Sequence, residues 1–496
     1  MSAPFTVTIA GGGTAGWMTA AALARFAGPA TRIRLVESEA IGTVGVGEAT
    51  IPQIRLFNHG LGIDEDAFVA ATGGTFKLGI EFVDWWKTGH RYMHAFGTVG
   101  RDIGVVPFHH YWTRANAAGV AGPLGDYALN EVAARAGRMH RGPSITAPNL
   151  PPVPYAYHFD ATLYARFLRD YAEARGVERI EGRILSVERA PTGDIAALRL
   201  EGDRRIDGDL FVDCTGFRAL LIGETLGVGY ETWSHWLPCD RALAVPSEPT
   251  PEPAPYTRST AHKAGWQWRI PLRHRTGNGH VYCSAHTSDD EAAATLLAGL
   301  DTPALGDPRP LSFTTGRRIR AREANVVAIG LSSGFLEPLE STSIHLIQSA
   351  IARLLKLFPG RTVTDAERAE YNRQTDFEIE RIRDMVILHY HATERSEPFW
   401  QACRAMTLPD TLQARIELYR ARGHIVREHD ELFTEPGWLQ VLAGQGIAPA
   451  AWHPLADTLP DADLAGFMRM LADQNVREAT AMKPHAAFLR AAPVLQ

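Results

Sequence analysis

Residues 5–37 read FTVTIAGGGTAGWMTAAALARFAGPATRIRLVE. Phe5, Val7 and Ile9 alternate as a strand does, and the strand runs into Gly11, Gly12, Gly13, Thr14, Ala15 and Gly16. A helical stretch follows from Trp17 to about Phe26, and Ile33 to Val36 make a second strand ending at Glu37. Strand, glycine turn, helix and strand form the opening unit of a Rossmann-type domain. In Gly11-x-Gly13-x-x-Gly16 the glycines let the backbone approach a pyrophosphate. The helix N-terminus behind them offers free N–H groups and a positive dipole end. Glu37 stands where a carboxylate accepts hydrogen bonds from ribose hydroxyls. Gly11, Gly13, Thr14, Ala15, Gly16 and Glu37 are therefore predicted to hold a dinucleotide.

Working outward, a glycine-rich segment from Gly42 to Pro52 contains Glu48, a further candidate for cofactor contact. Strands over Asp209–Asp213 and Asn325–Ile329 end in glycine turns at Gly216 and Gly330, as strands returning to a parallel sheet beside a nucleotide do. Gly330, followed by Ser332, Ser333 and Gly334, suits the far end of an extended FAD. There is one fingerprint and no evident second site for NAD(P)H. FAD is thus favoured over NAD, and reduction is expected from a separate NAD(P)H-dependent flavin reductase that supplies FADH2.

The expected class is α/β: a Rossmann-type FAD-binding body of the glutathione-reductase/monooxygenase-like kind, with an inserted substrate region and a mostly helical C-terminal part. The body is discontinuous, over 1–84, 155–230 and 310–360. Residues 85–154 and 231–309 form the inserted substrate and tunnel-wall region, and 361–496 the helical part. Prolines 246, 249, 251, 253 and 255 read as an exposed connector. From Ser343 the residues Ile344, Ile347, Ile351, Leu354, Leu355 and Phe358 fall on one helical face. Later breaks are expected at Pro398, Pro409, Pro436 and Pro449.

Net charge is −6 without a long basic run, which argues against nucleic acid or an anionic membrane as partner. Cys214, Cys239, Cys283 and Cys403 are far apart, so neither a disulfide framework nor a zinc site is expected. With no signal-peptide pattern and no apolar run long enough to span a bilayer, the expected location is the cytoplasm. His389-x-His391 and His109-His110 lack a third ligand at metal spacing, so no metal is expected. The sequence does not decide oligomeric state; a homodimer stays open.

Three further stretches narrow the chemistry. In residues 266–271, WQWRIP, Trp266, Trp268 and Ile270 share one face of a strand and make a rigid apolar wall. In residues 75–82, TFKLGIEF, apolar residues alternate with Lys77, Gly79 and Glu81, which from pattern alone read as a solvated polar face. Residues 337–344, EPLESTSI, precede the amphipathic helix.

The fingerprint together with the W-x-W-x-I-P block resembles the flavin-dependent tryptophan halogenase family, over most of the chain to about residue 405. The resemblance implies that Trp266, Trp268, Ile270 and Pro271 form a tunnel wall keeping substrate from flavin. It implies that Lys77 receives hypohalous acid and delivers electrophilic halogen. Glu340 matches the glutamate partner of that lysine, able to polarise the halogenating species or accept the proton lost from the ring. Thr342 and Ser343 match the halide-binding amides; a helix N-terminus suits an anion, and serine where the family has glycine narrows backbone freedom. His94 and Phe96 match the residues that sandwich an indole. The implied co-reactants are FADH2, O2 and chloride or bromide.

The family's late tyrosine-rich segment, which grips the amino-acid end of tryptophan, departs here: residues 428–438 read EHDELFTEPGW. The expected substrate is a small aromatic, an indole or other electron-rich arene, with a tryptophan-containing peptide as an open case. The alternatives are a flavin-dependent aromatic hydroxylase and a non-catalytic flavin-binding protein.

Overall fold

The computed structural model describes residues 4–40, 47–147, 151–360 and 362–490. Part of the glycine-rich segment, residues 41–46, lies outside the described residues. Strand Phe5–Ala10 sits inside a six-stranded sheet, flanked in parallel by Thr31–Glu37 on one side and Leu210–Asp213 on the other. Glu178–Glu181 and Val326–Ala328 extend it, also parallel, and Arg322–Glu323 closes one edge antiparallel. Strand order reverses across Phe5–Ala10, and a crevice opens at the carboxyl ends of such strands.

Helix Thr14–Phe26 starts three residues before the expected Trp17, and every residue from Gly16 to Leu23 is buried. Three buried alanines, Ala20, Ala21 and Ala22, and Gly16 let it pack closely against the sheet and against helices Ala161–Glu173 and Ser343–Lys356. On Ser343–Lys356 the residues Ile344, Ile347, Ile351 and Leu354 are buried, the face the periodicity predicts.

A second sheet has seven strands, in the order Arg309–Ser312, Arg241–Ser247, Thr276–Tyr282, Gly265–Pro271, Thr257–His262, Gly79–Val83 and Arg91–Ala95. A third, smaller sheet pairs Ala156–Asp160 with Gly47–Ala49 and Thr75–Lys77. The alternating stretch 75–82 is therefore not one strand. It changes sheet at Leu78, whose N–H donates to the Pro255 carbonyl at 2.7 Å. Both of its faces are covered, so the solvated-face reading fails: Lys77 is 0% and Glu81 3% exposed.

The proline connector is likewise not wholly exposed. Pro246 lies in strand Arg241–Ser247, opposite Gly277, and Pro255 is buried. Beyond residue 361 the chain is mostly helical, led by Asp365–His391. Pro398 and Pro436 stand in the first turns of helices Pro398–Ala405 and Glu435–Gly444, and Pro409 caps Asp410–Arg422. These prolines start helices rather than break them, because the first-turn N–H they lack has no helical acceptor anyway. All four cysteines are buried, unpaired thiols. Among the described residues no helix is long and apolar enough to cross a membrane.

Candidate active site

A cavity of about 610 Å³ runs from the carboxyl ends of the parallel strands to the second sheet. Gly11, Gly13, Thr14, Ala15, Glu37, Glu48 and Gly330 line one part of it. A Cβ at Gly11 would stand 2.2 Å from the Cys214 carbonyl oxygen, one at Gly12 1.6 Å from Glu37 Oε2, and one at Gly16 1.9 Å from the Gly11 carbonyl oxygen. Those three glycines let protein pack on protein. Gly13 has open space where its Cβ would be, so there a ligand can reach the backbone. Gly16 does not line the cavity; it brings the helix onto the turn. Glu37 is already engaged, accepting from Arg179 Nε at 2.5 Å and from Trp17 Nε1 at 3.3 Å, which fixes its carboxylate at the cavity rim. Burial raises the Glu48 carboxyl to about 7. An elongated, mostly apolar cavity with a glycine cradle at a helix N-terminus fits FAD.

Trp266, Trp268 and Ile270 line another part of the cavity. The indoles lie 6.0 Å apart at 58°, and Trp268 lies against Gly279, where a Cβ would stand 2.0 Å from its ring. Pro271 does not belong to the wall. One residue on from Ile270 it faces the opposite way, and its carbonyl accepts from Thr75 Oγ1 at 2.7 Å. Trp266 Nε1 donates to Glu337 Oε2 at 2.9 Å, and the Tyr390 hydroxyl donates to the same oxygen at 2.5 Å. Glu337 is fully enclosed, and burial raises its carboxyl to about 7 against those two bonds.

Ser341 and Ser343 also line the cavity, and behind Ser341 lies Lys77. Its Nζ donates to Ser341 Oγ at 2.7 Å and stands 5.5 Å from the Phe96 ring centroid. Burial pulls the Lys77 ammonium down to about 7, against the pull of Glu340. A large neutral fraction near physiological pH gives the amine a free lone pair. Ser341 adopts φ 59° and ψ 37°, a left-handed conformation uncommon for a residue with a Cβ. The turn Pro338–Glu340 ends there, and helix Ser343–Lys356 starts two residues later. The amides of Thr342 and Ser343 therefore have no helical acceptor. Ser343 faces the cavity, whereas Thr342 does not line it.

Glu340 points the other way and is 1% exposed. His94 Nδ1 meets its Oε2 at 2.8 Å, and His389 Nε2 meets its Oε1 at 2.5 Å. Burial pushes this carboxyl up, but the two histidines hold it down at about 2. His389 Nδ1 in turn is 2.8 Å from the Tyr92 hydroxyl, and its ring stacks on Phe82 at 4.4 Å. The chain of bonds is satisfied with His389 neutral: Tyr92 O–H to Nδ1, then Nε2–H to Glu340. Burial also lowers the His389 pKa.

The structure thus brings Lys77, Glu340, His94, Phe96 and the turn at 341–343 together, beside a cavity bordered by the fingerprint residues and the tryptophan wall. Sequence reasoning missed Ser341 as the partner of Lys77, and it missed the roles of His389, Tyr92 and Glu337. One signal was present: His389 interrupts an apolar run, Met385 to Leu388, that no solvated helix face would carry.

Comparison with known proteins places the chain in a family. The family model described as tryptophan halogenase matches residues 6–461, well past residue 405, where the sequence motifs give out. A tryptophan 6-halogenase of Streptomyces toxytricini is 36% identical over 449 residues, covering 84% of each chain. The solved structure of a flavin-dependent halogenase from Xanthomonas campestris is 52% identical, covers 99% of this chain and 100% of its own, and has a TM-score of 0.96. That of a flavin-dependent halogenase from Brevundimonas sp. BAL3 is 47% identical, with coverage of 98% and 99% and a TM-score of 0.93.

Proposed function

The chain belongs to the tryptophan halogenase family and is a flavin-dependent halogenase, and from that premise we propose that Lys77 carries the halogen to an indole-type arene. FADH2, when bound, supplies the oxidation of halide by O2 to hypohalous acid. The residues that would hold it are Gly11, Gly13, Thr14, Ala15, Glu37, Glu48 and Gly330. Trp266, Trp268 and Ile270 keep the arene out of that cavity. The amides of Thr342 and Ser343 hold the halide. Ser341, lining the cavity and bonded to Lys77, marks the point where the oxidised halogen passes to the amine. The observation that carries the reading is this one: a fully buried amine with its pKa drawn to about 7, separated from the cavity by a single serine. Glu340 stays ionised and stabilises positive charge developing near Lys77.

The substrate is an indole or a similar ring without a gripped amino-acid end. Residues 428–438 offer no tyrosine for such a grip, and Phe433 and Gly437 instead close on His94. The partner is a separate NAD(P)H-dependent flavin reductase. A homodimer and a peptide-borne indole belong to the same proposal; light scattering and a tryptophan-containing peptide in the assay decide them. The central test supplies a flavin reductase, NADH, O2 and bromide or chloride, and compares indole with free tryptophan by mass spectrometry. Halogenated indole as the preferred product is expected. A product heavier by one oxygen and free of halogen would make the protein a hydroxylase, and a strong preference for free tryptophan would refute the open site.

A further inference from the structure

The indoles of Trp266 and Trp268 border the cavity in which the oxidant forms, and an indole is itself easily oxidised. The contacts of Trp266 lead away from that cavity. Its Nε1–H and the Tyr390 hydroxyl donate to the same oxygen, Glu337 Oε2, at 2.9 and 2.5 Å. Trp85 joins the two rings: its centroid lies 6.1 Å from that of Trp266 and 5.5 Å from that of Tyr390. All three side chains are buried. Trp85 Nε1 donates to the Ser259 carbonyl and hydroxyl, both at 3.2 Å. Neither is a useful base, so Trp85 can pass an electron but cannot hand off its proton. The packing continues to Trp400, 5.5 Å from Trp85 and 5.7 Å from Tyr390. There the Arg395 guanidinium stands 5.6 Å from the ring centroid, and a cation against the ring opposes loss of an electron. The path therefore ends at Tyr390.

Glu337 is the base on that path. Burial raises its carboxyl to about 7; above that pH it is ionised, and it binds a proton more firmly than a solvated carboxylate does. The titratable groups facing it are Tyr390 and the thiols of Cys239, Cys283 and Cys403, all of which burial pushes up and keeps neutral.

We propose that Trp266, Trp85, Glu337 and Tyr390 form a one-electron relay that clears oxidising equivalents from the tryptophan wall. The oxidant is a one-electron acceptor in the cavity: a halogen- or oxygen-centred radical, or oxidised flavin excited by light. One electron leaves the Trp266 ring for the acceptor, and the Nε1 proton shifts to Glu337 Oε2. Tyr390 then gives one electron through Trp85 to Trp266. The proton on Glu337 returns to Nε1, and the Tyr390 hydroxyl proton takes its place. In sum the acceptor gains one electron, Trp266 is restored, Tyr390 becomes a neutral phenoxyl radical and Glu337 keeps the proton. The relay needs flavin bound beside the wall; it does not need Lys77.

The test excites the FAD-loaded protein with a blue flash, without arene or halide, and follows radicals by transient absorption. Wild type should give a tyrosyl radical that forms more slowly in D2O, with a yield that rises with pH as Glu337 ionises. Tyr390→Phe should lose the tyrosyl signal and stop at a deprotonated tryptophan radical. Glu337→Gln still offers an acceptor to both donors but takes no proton; it should lose the tyrosyl signal and leave a tryptophan radical cation. If either variant fails to bind FAD, Trp85→Phe, which touches neither bond to Glu337, should slow the tyrosyl signal. A tyrosyl signal surviving in Tyr390→Phe would put the radical elsewhere, for instance on Tyr371 at the cavity wall, and overturn the relay. So would a wild type that gives no tyrosyl radical, whether or not its flavin fluorescence is quenched. With halide and arene absent, such a failure leaves halogen delivery by Lys77 untouched.

Discussion

Replacing Lys77 with methionine should make the protein more stable and abolish its chemistry. The lysine is fully enclosed, and burial draws its pKa from 10.5 to about 7. Below the folded value it is charged in both states, and the whole desolvation cost falls on the folded one: about 5 kcal/mol. Between the two values the unfolded chain holds a proton that the folded chain lacks. Wild-type stability therefore rises with pH through that window, and the cost has vanished above the unfolded value. Methionine has similar volume and no charge, so it escapes the cost. It also loses the bond to Ser341, leaving a buried hydroxyl at a cost of about 1 kcal/mol. The net gain is about 4 kcal/mol at pH 7, shrinking to roughly nil near pH 9.5. Denaturant midpoints of both proteins at the two pH values give the difference, and product mass gives activity. A Lys77→Met protein no more stable than wild type at neutral pH, or an advantage that did not shrink with rising pH, would show that the amine is solvated.

Three other outcomes follow from the same contacts. Glu340→Gln presents an amide nitrogen to one of two imidazole N–H donors; it should cost about 2–3 kcal/mol in denaturant midpoint and lower halogenation at least ~10²-fold. Glu337 is held protonated by burial, with a folded pKa of about 7 against 4.5. The folded chain keeps a proton the unfolded chain has lost, so its stability contribution falls as pH rises from 4.5 towards 7. Glu337→Gln should remove that slope from midpoints measured across the window, and an unchanged slope would mean that the carboxyl is ionised throughout. Gly12→Ala puts a methyl group 1.6 Å from Glu37 Oε2; flavin affinity by fluorescence titration should drop ~10-fold or more, a change of about 1.4 kcal/mol.

Local pattern carried the first forty residues. Strand Phe5–Ala10, the glycine turn and Glu37 lie within one short stretch, and their periodicities fall where the structure has them. The same reasoning misjudged residues 75–82. Alternation says that a strand has two faces but not what covers each, and here one half lies in a three-stranded sheet and the other in a seven-stranded one. Lys77 read as solvated for that reason; only the family resemblance marked it. His389 stayed illegible because its meaning depends on Glu340, 49 residues away, and on Tyr92, 297 residues away. The prolines after 390 do mark interruptions between helices; Pro449 lies in one, and Pro398, Pro409 and Pro436 stand where the next helix begins, because a breaker in mid-helix is a starter in the first turn.

The site gathers at a seam that no single element owns. Lys77 comes from the small sheet, the tryptophan wall and His94 from the large one, Glu340 and Ser341 from a turn, and His389 from the long helix. Each side chain is buried, so none of these groups can find water if its partner moves, and an unmade bond there costs more than a made one contributes. That asymmetry is what fixes the geometry. It also accounts for the left-handed Ser341, a conformation costing of order 1–3 kcal/mol that persists only where its surroundings over-determine it. Here the Ser341 N–H donates to the Pro338 carbonyl at 3.1 Å, its hydroxyl accepts from Lys77, and its neighbour is pinned by two histidines. The strained residue sends Glu340 and Ser341 to opposite sides of the turn, so that a hydroxyl bonded to the buried amine and a carboxylate bonded to two histidines hang on adjacent residues.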